Sequence, residues 1–146
     1  MTVQNSYAQY HDQGFEGDIA DAEHSTILSR EVETAALEFG RAVTHGAADR
    51  GVVAGGANLF QGVSLRTNVQ PASSASNYAV GATANVMQSG AVRVKVTKAV
   101  TPETVPAYST VDGTFAESGD ASHTDVPNAR YETSGGIGDL VILRLG

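Results

Sequence analysis

An all-β fold is predicted by three observations. The second half of the chain alternates apolar and polar side chains with a period of two. Its extended runs are separated by glycine-bearing turn signals at short spacing. Aromatics are scarce while glycine takes 16 of the 146 positions, so the core is thin and its connections tight. Together these indicate a β-sandwich or barrel in one domain. A domain of this length buries roughly 68–70% of its unfolded surface and needs no covalent staple. Cysteine is absent, which excludes disulfides and thiolate metal sites and is compatible with synthesis in a reducing compartment.

The elements follow in order. Residues 1–17 are polar, carry Tyr7, Tyr10 and Phe15, and show neither period. Two readings stand: a frayed terminus, or an extended arm whose aromatics anchor on a neighbour. Such an arm could reach roughly 55 Å, and ordering it costs about 1–2 kcal/mol per residue, so a partner surface must hold it. The same residues lack the basic start and apolar stretch of a secretory signal. Residues 18–146 form the expected single β-domain.

Residues 27–43, "ILSREVETAALEFGRAV", are ambiguous. Leu28, Val32, Ala35, Ala36, Phe39 and Val43 fit one helical face, whereas Gly40 and "FGRAV" read as extended. Local physics leans to a helix. After Arg50, "GVVAGGANLFQGVSLRT" gives short apolar runs broken by glycine, and residues 68–77 form a small-residue loop. From Tyr78 the strand signal is plain. Gln88-Ser89-Gly90 reads as a turn. In "AVRVKV", Val92, Val94 and Val96 face one way and Arg93, Lys95 and Thr97 the other. Asp112-Gly113 between extended segments predicts a hairpin. "ARYETSGGIGDLVILRL" predicts another. Its last strand, apolar on both faces, should be central and covered on both sides.

Charge and motifs narrow the chemistry. The formal net charge is -7, concentrated in residues 1–50, where nine acids face three arginines; after that seven acids face six bases. An acidic chain repels phosphate backbones. Arg93, Lys95 and Lys98 are not interleaved with the aromatics that stack bases. They are expected on the solvent face of a strand, with a second use in pairing to the acid-rich first third of another copy. The histidines do not fall at metal-ligand spacing, and His123-x-Asp125 lies in a polar loop. No G-x-S-x-G elbow occurs. "GDIADAEH" lacks the ligand alternation of a calcium loop. "SGGIGD" precedes a strand rather than a helix and lacks the Lys-Ser/Thr of a phosphate loop. No run of about 18 apolar residues is present. No catalytic residue, cofactor, metal, nucleic-acid or membrane partner is therefore expected.

In order along the chain, "GDIAD", "STILSREVETAALEFGRAVTHG", "FQGVSLRT", "YAVGATANVMQSGAVRVKV" and "ARYETSGGIGDLVILRL" resemble the structural cement, or head-decoration, proteins of tailed bacteriophages. Each motif is apolar alternation with a glycine; their order carries the likeness, which spans most of the chain. Residues 68–77 depart from the glycine-rich segment usual there. The resemblance implies a jelly-roll-like β-sandwich. It would be made in the bacterial host cytoplasm and sit on the outer surface of the capsid as a homodimer or homotrimer. There it would bridge major capsid proteins of the expanded head. It also implies strand, loop, strand for residues 27–43. Tyr7, Tyr10, Phe15, Arg93 and Lys95 are the expected subunit or capsid contacts. The competing reading, from a different class, is a carbohydrate- or host-surface-binding β-sandwich of a virion; the absence of tryptophan counts against it.

Overall fold

A computed structural model describes residues 14–67 and 77–146. It contains β1 (Thr26–Val32), β2 (Leu37–Glu38), β3 (Ala42–His45), β4 (Gly51–Ala54), β5 (Phe60–Ser64) and β6 (Asn77–Tyr78). These are followed by β7 (Thr83–Lys95), β8 (Pro106–Ser109), β9 (Phe115–Glu117), β10 (His123–Asp125), β11 (Ala129–Tyr131) and β12 (Leu140–Leu145). No helix occurs among the described residues.

The largest sheet runs β1-β4-β3-β5-β7-β12-β11, and β7 also pairs with β1. That extra pairing closes β1, β4, β3, β5 and β7 into a small barrel. Every contact in it is antiparallel except β1 with β4, where Glu31 and Val32 lie beside Gly51 and Val52 in parallel. A barrel this small leaves room inside only for modest side chains. Val32, Val43, Val52, Ala84 and Val86 supply them, with Leu37, Phe39 and Tyr78 completing the cluster.

The 13-residue β7 outruns the barrel. From Gly90 to Lys95 it pairs with β12, which pairs in turn with β11. The sheet β10-β8-β9 covers this extension. Between the two lies a second core with Met87, Val92, Val94, Tyr108, Phe115, Tyr131 and Leu143. Jelly-roll-like sandwich therefore describes the whole, with one side of the sandwich curled into a barrel.

A β-bulge lets one strand feed both cores. Thr26 pairs with Ser89 but Ile27 with Met87, leaving an extra residue at Gln88. Without it, Val86 and Val92, an even number of residues apart, would share a face. With it, Val86 points into the barrel and Val92 and Val94 join Met87 in the second core. The expected turn at Gln88-Ser89-Gly90 is thus corrected to a bulge inside a continuous strand. Gly90 is small because Ser25 crosses there: a Cβ would come within 2.8 Å of the Ser25 Cβ.

Three further expectations meet the structure here. Residues 27–43 are not helical: they form β1, β2 and β3, and Thr34 (φ 68°) and Gly40 (φ 70°) break any helical run. Leu37 and Phe39 are buried while Glu38 between them is exposed, which is a period of two in that stretch. Barrel closure gives these backbone groups inter-strand partners, and that outweighs local helix preference. Both hairpins form, β8 with β9 and β11 with β12. In β12, Val141, Leu143 and Leu145 are buried, but Leu140 and Ile142 are only half-buried. The strand is flanked on both edges, by β7 and β11, yet fully covered on one face.

Most buried polar groups are tied in; among the described residues, Arg41 Nε and His123 Nε2 are buried without a hydrogen-bond partner. The Ser64 hydroxyl donates to Glu38 O at 2.7 Å and accepts from Arg41 N at 3.0 Å. The Thr44 hydroxyl donates to Gly55 O. Tyr78 donates to Leu65 O at 2.6 Å and Tyr131 to Ala116 O at 2.7 Å. Burial raises both phenol pKa values above their usual range.

Candidate functional site at the root of the N-terminal segment

The chain ahead of β1 lies along β7. Gly17 N donates to Arg93 O at 2.8 Å, Arg93 N to Asp18 O at 2.9 Å, and Ala20 N to Ala91 O at 3.0 Å. Ile19 pairs with Val92. This segment prolongs the β1 edge of β7, and β12 takes the opposite edge.

Two glycines permit the approach. Gly17 (φ +81°) is packed so closely that a Cβ would stand 2.7 Å from Arg66 N and 3.0 Å from Gly40 N. A Cβ on Gly40 (φ +70°) would stand 2.9 Å from Gly17 N. Any side chain at either position would push the two backbones apart.

Arg66 grips the segment. Its amide donates to Gly17 O at 2.9 Å and its Nε to Glu16 O at 3.2 Å. Its guanidinium sits 4.8 Å from the Phe15 ring centre and 4.9 Å from that of Phe39, with Asp18 at 3.8 Å. A cation between two ring faces is held by both quadrupoles, at about 0.5–1 kcal/mol each where exposed. Phe15 nonetheless leaves 64% of its surface in solvent.

Of the five expected contact residues, Phe15, Arg93 and Lys95 converge on this patch. Tyr7 and Tyr10 lie outside the described residues. Lys95 pairs with Glu16 of its own chain at 3.3 Å. With the lysine side chain 55% exposed, the pair contributes about 0–1 kcal/mol. Arg93 is half-buried, and its backbone rather than its charge makes the junction. Sequence reasoning missed Arg66, Gly17 and Gly40; Gly40 alone left a trace, as the glycine that disagreed with a helix.

The other cations are also engaged within the chain. Arg144 bonds Glu23 and Glu132 and lies 3.4 Å from Asp21. Hydrogen bonds from Arg144 and then Arg130 hold the Glu132 carboxyl below its ordinary pKa. Lys98 pairs with Asp120 at 3.3 Å. The Ser122 amide, followed by Lys98, lowers the Asp120 pKa to about 2. The acid-rich first third thus finds basic partners on its own domain.

Among the described residues no group of three or more His, Cys, Asp or Glu is placed to hold a metal. His123 turns Nδ1 to the Ser122 hydroxyl at 3.2 Å, while Asp125 bonds Ser118. "SGGIGD" is the β11–β12 turn, closed by Gly136 N donating to the Asp139 carboxylate at 2.9 Å. No helix among the described residues is long and apolar enough to cross a membrane.

Comparison with known proteins adds the following. A family described as structural cement protein (E217 gp24/Pam3 gp6) matches residues 3–146. No curated protein matches the chain. Among solved structures, a chain from the capsid of Myoviridae phage XM1 is similar at TM-score 0.73 and 19% identity, covering 100% of this chain and 98% of that one. The N base of head fiber gp8.5 of bacteriophage phi29 is similar at TM-score 0.54 and 13% identity, covering 84% and 95%. At such identities these two likenesses speak for the fold.

Proposed function

Since this chain belongs to the structural cement protein family of phages, a capsid-associated structural protein of the virion, we propose that it clamps the expanded head from outside by bridging neighbouring major capsid proteins. A clamp that binds only the expanded lattice stabilises that lattice by its binding free energy. Each contact can be modest, because attachment at several points of one shell raises the effective concentration of the next. Association of two or three copies multiplies those points.

The observation that supports this reading is the root described above. Residues 17–20 are bonded to β7, the strand both cores share. In the arm reading, residues 1–17 carry Tyr7, Tyr10 and Phe15 outward to a neighbouring subunit or capsid protein. A load on that arm then arrives at the strand that pairs with β1, β5 and β12. Brace chemistry of this kind uses shape, apolar anchors and a rigid attachment, and calls on no reacting group.

The test is co-sedimentation with heads and with procapsids lacking the protein. Full-length protein is expected to pellet with expanded heads and to stay in solution with procapsids. A variant lacking residues 1–13 is expected to keep its fold and to bind expanded heads more weakly. Equal binding to both particles would defeat the clamp reading, and undiminished binding of the shortened variant would defeat the arm.

A further inference from the structure

Beside the root of the N-terminal segment, where Glu16, Gly40 and Lys95 form part of the wall, one end of the molecule is concave. An open groove of about 680 Å³ runs between the Thr34–Ala36 turn and the β8–β9 turn. A second, of about 320 Å³, lies between Lys95 and the β11–β12 turn. Arg41 lines both and forms the ridge between them.

Three features set this end apart. Each groove is flanked by a turn that holds an aliphatic side chain in water: Val111 is 80% exposed and Ile137 78%. A β-branched side chain at a turn tip gains nothing there from the fold, so its hydrophobic surface is available to a partner. The first groove carries an acidic excess: Glu38 and Asp112 flank its single cation, Arg41, and Glu33 lines the same groove with its carboxylate turned to the Ala48 amide. Glu38 and Asp112 keep 56% and 55% of their side chains exposed even while flanking the Arg41 guanidinium. The wall of the same groove carries Thr34 at φ 68°, the left-handed region that β-branched residues avoid. Strain of this kind gathers at sites that hold a shape for binding.

We propose that this end is a docking face and that its occupant is a segment of the capsid lattice presenting apolar side chains around a Lys or Arg. The apolar side chains would cover Val111 and Ile137, and the cation would meet Glu38 and Asp112 beside the Arg41 ridge. The proposal rests on the clamp reading and names its contact surface.

The experiment titrates full-length protein onto expanded heads lacking it. The double variant Val111→Asp with Ile137→Asp should fold as the parent does, since both side chains already stand in water, and should bind about tenfold more weakly or worse. Val105→Asp is the control: Val105 is also exposed, at 53%, but precedes β8 at its far end, roughly 13 Å from the grooves. It should bind as the parent. Glu38→Gln should weaken binding about two- to fivefold, and parental binding should weaken as salt rises from about 50 to 300 mM. Parental affinity in the double variant overturns the proposal, as does equal loss in Val105→Asp. Salt-independent binding overturns the cationic occupant. A change of oligomeric state in the double variant, read by sedimentation velocity, reassigns the face to a contact between copies and overturns it too. If the parent itself fails to bind expanded heads, it is the clamp reading that falls.

Discussion

The barrel and the sandwich are built from the same chain by different means. The barrel core packs four valines and an alanine beside Leu37 and the edge-to-face pair Phe39 and Tyr78, and its strands are ordered by a ladder that closes on itself. The sandwich core is larger and relies on Tyr108, Phe115 and Tyr131, with Phe60 stacked on Tyr108 at 5.5 Å. In the first, backbone pairing sets the shape and side chains fill what is left. In the second, bulky rings set the spacing and hydroxyl groups fix them, as Tyr131 does on Ala116.

The comparison can be broken most sharply at Tyr131. Replacing it with Ala should cost about 3–5 kcal/mol, read by chemical denaturation. Because β7 runs through both cores, the loss should appear as one earlier transition. Two separate transitions would show that the barrel survives alone. A smaller and more local effect is expected at Gly17. Gly17→Ala forces a side chain into a left-handed position 2.7 Å from Arg66 N, at about 1–3 kcal/mol. Hydrogen exchange should show the Arg93 amide losing protection while β3 and β4 amides keep theirs. Uniform loss across the barrel would mean that the root is part of its closure. The smallest effect lies on the sandwich surface. Asp120 has a folded pKa of about 2, below the unfolded value near 3.9. Its contribution is therefore present above about pH 4 and is lost as pH falls toward about 2. Asp120→Asn should melt slightly below the parent at neutral pH and converge with it near pH 2, flattening the acid limb; an unaltered acid limb would show that the carboxylate does not contribute.

Sequence legibility follows the same division. The outer half of β7 and β12 announce themselves because each fully buries only one face, so Val92, Val94 and Val96 alternate with polar neighbours; Asp112-Gly113 marks the hairpin of β8 and β9. The barrel hides itself. In residues 27–43 its short strands and intervening turns place Val32, Phe39 and Val43 at spacings that imitate a helix. Gln88-Ser89-Gly90 has the composition of a turn, and only the neighbouring β1 turns it into a bulge. The root of the N-terminal segment joins Gly17, Gly40, Arg66 and Arg93, residues far apart in sequence, through backbone approach, which leaves no periodic trace. Family resemblance supplied what periodicity could not for residues 27–43, but not the contacts of the root.

The bonds between residues 17–20 and β7 lie side by side along one axis. A tug on the preceding chain parallel to that axis stretches the Gly17, Asp18 and Ala20 links together, so they fail as a set. A tug at right angles opens them in succession, beginning with Gly17, at far lower force. The attachment is a directional fastener: strong against sliding, easily peeled, and able to yield to a partner that lifts it from the correct side.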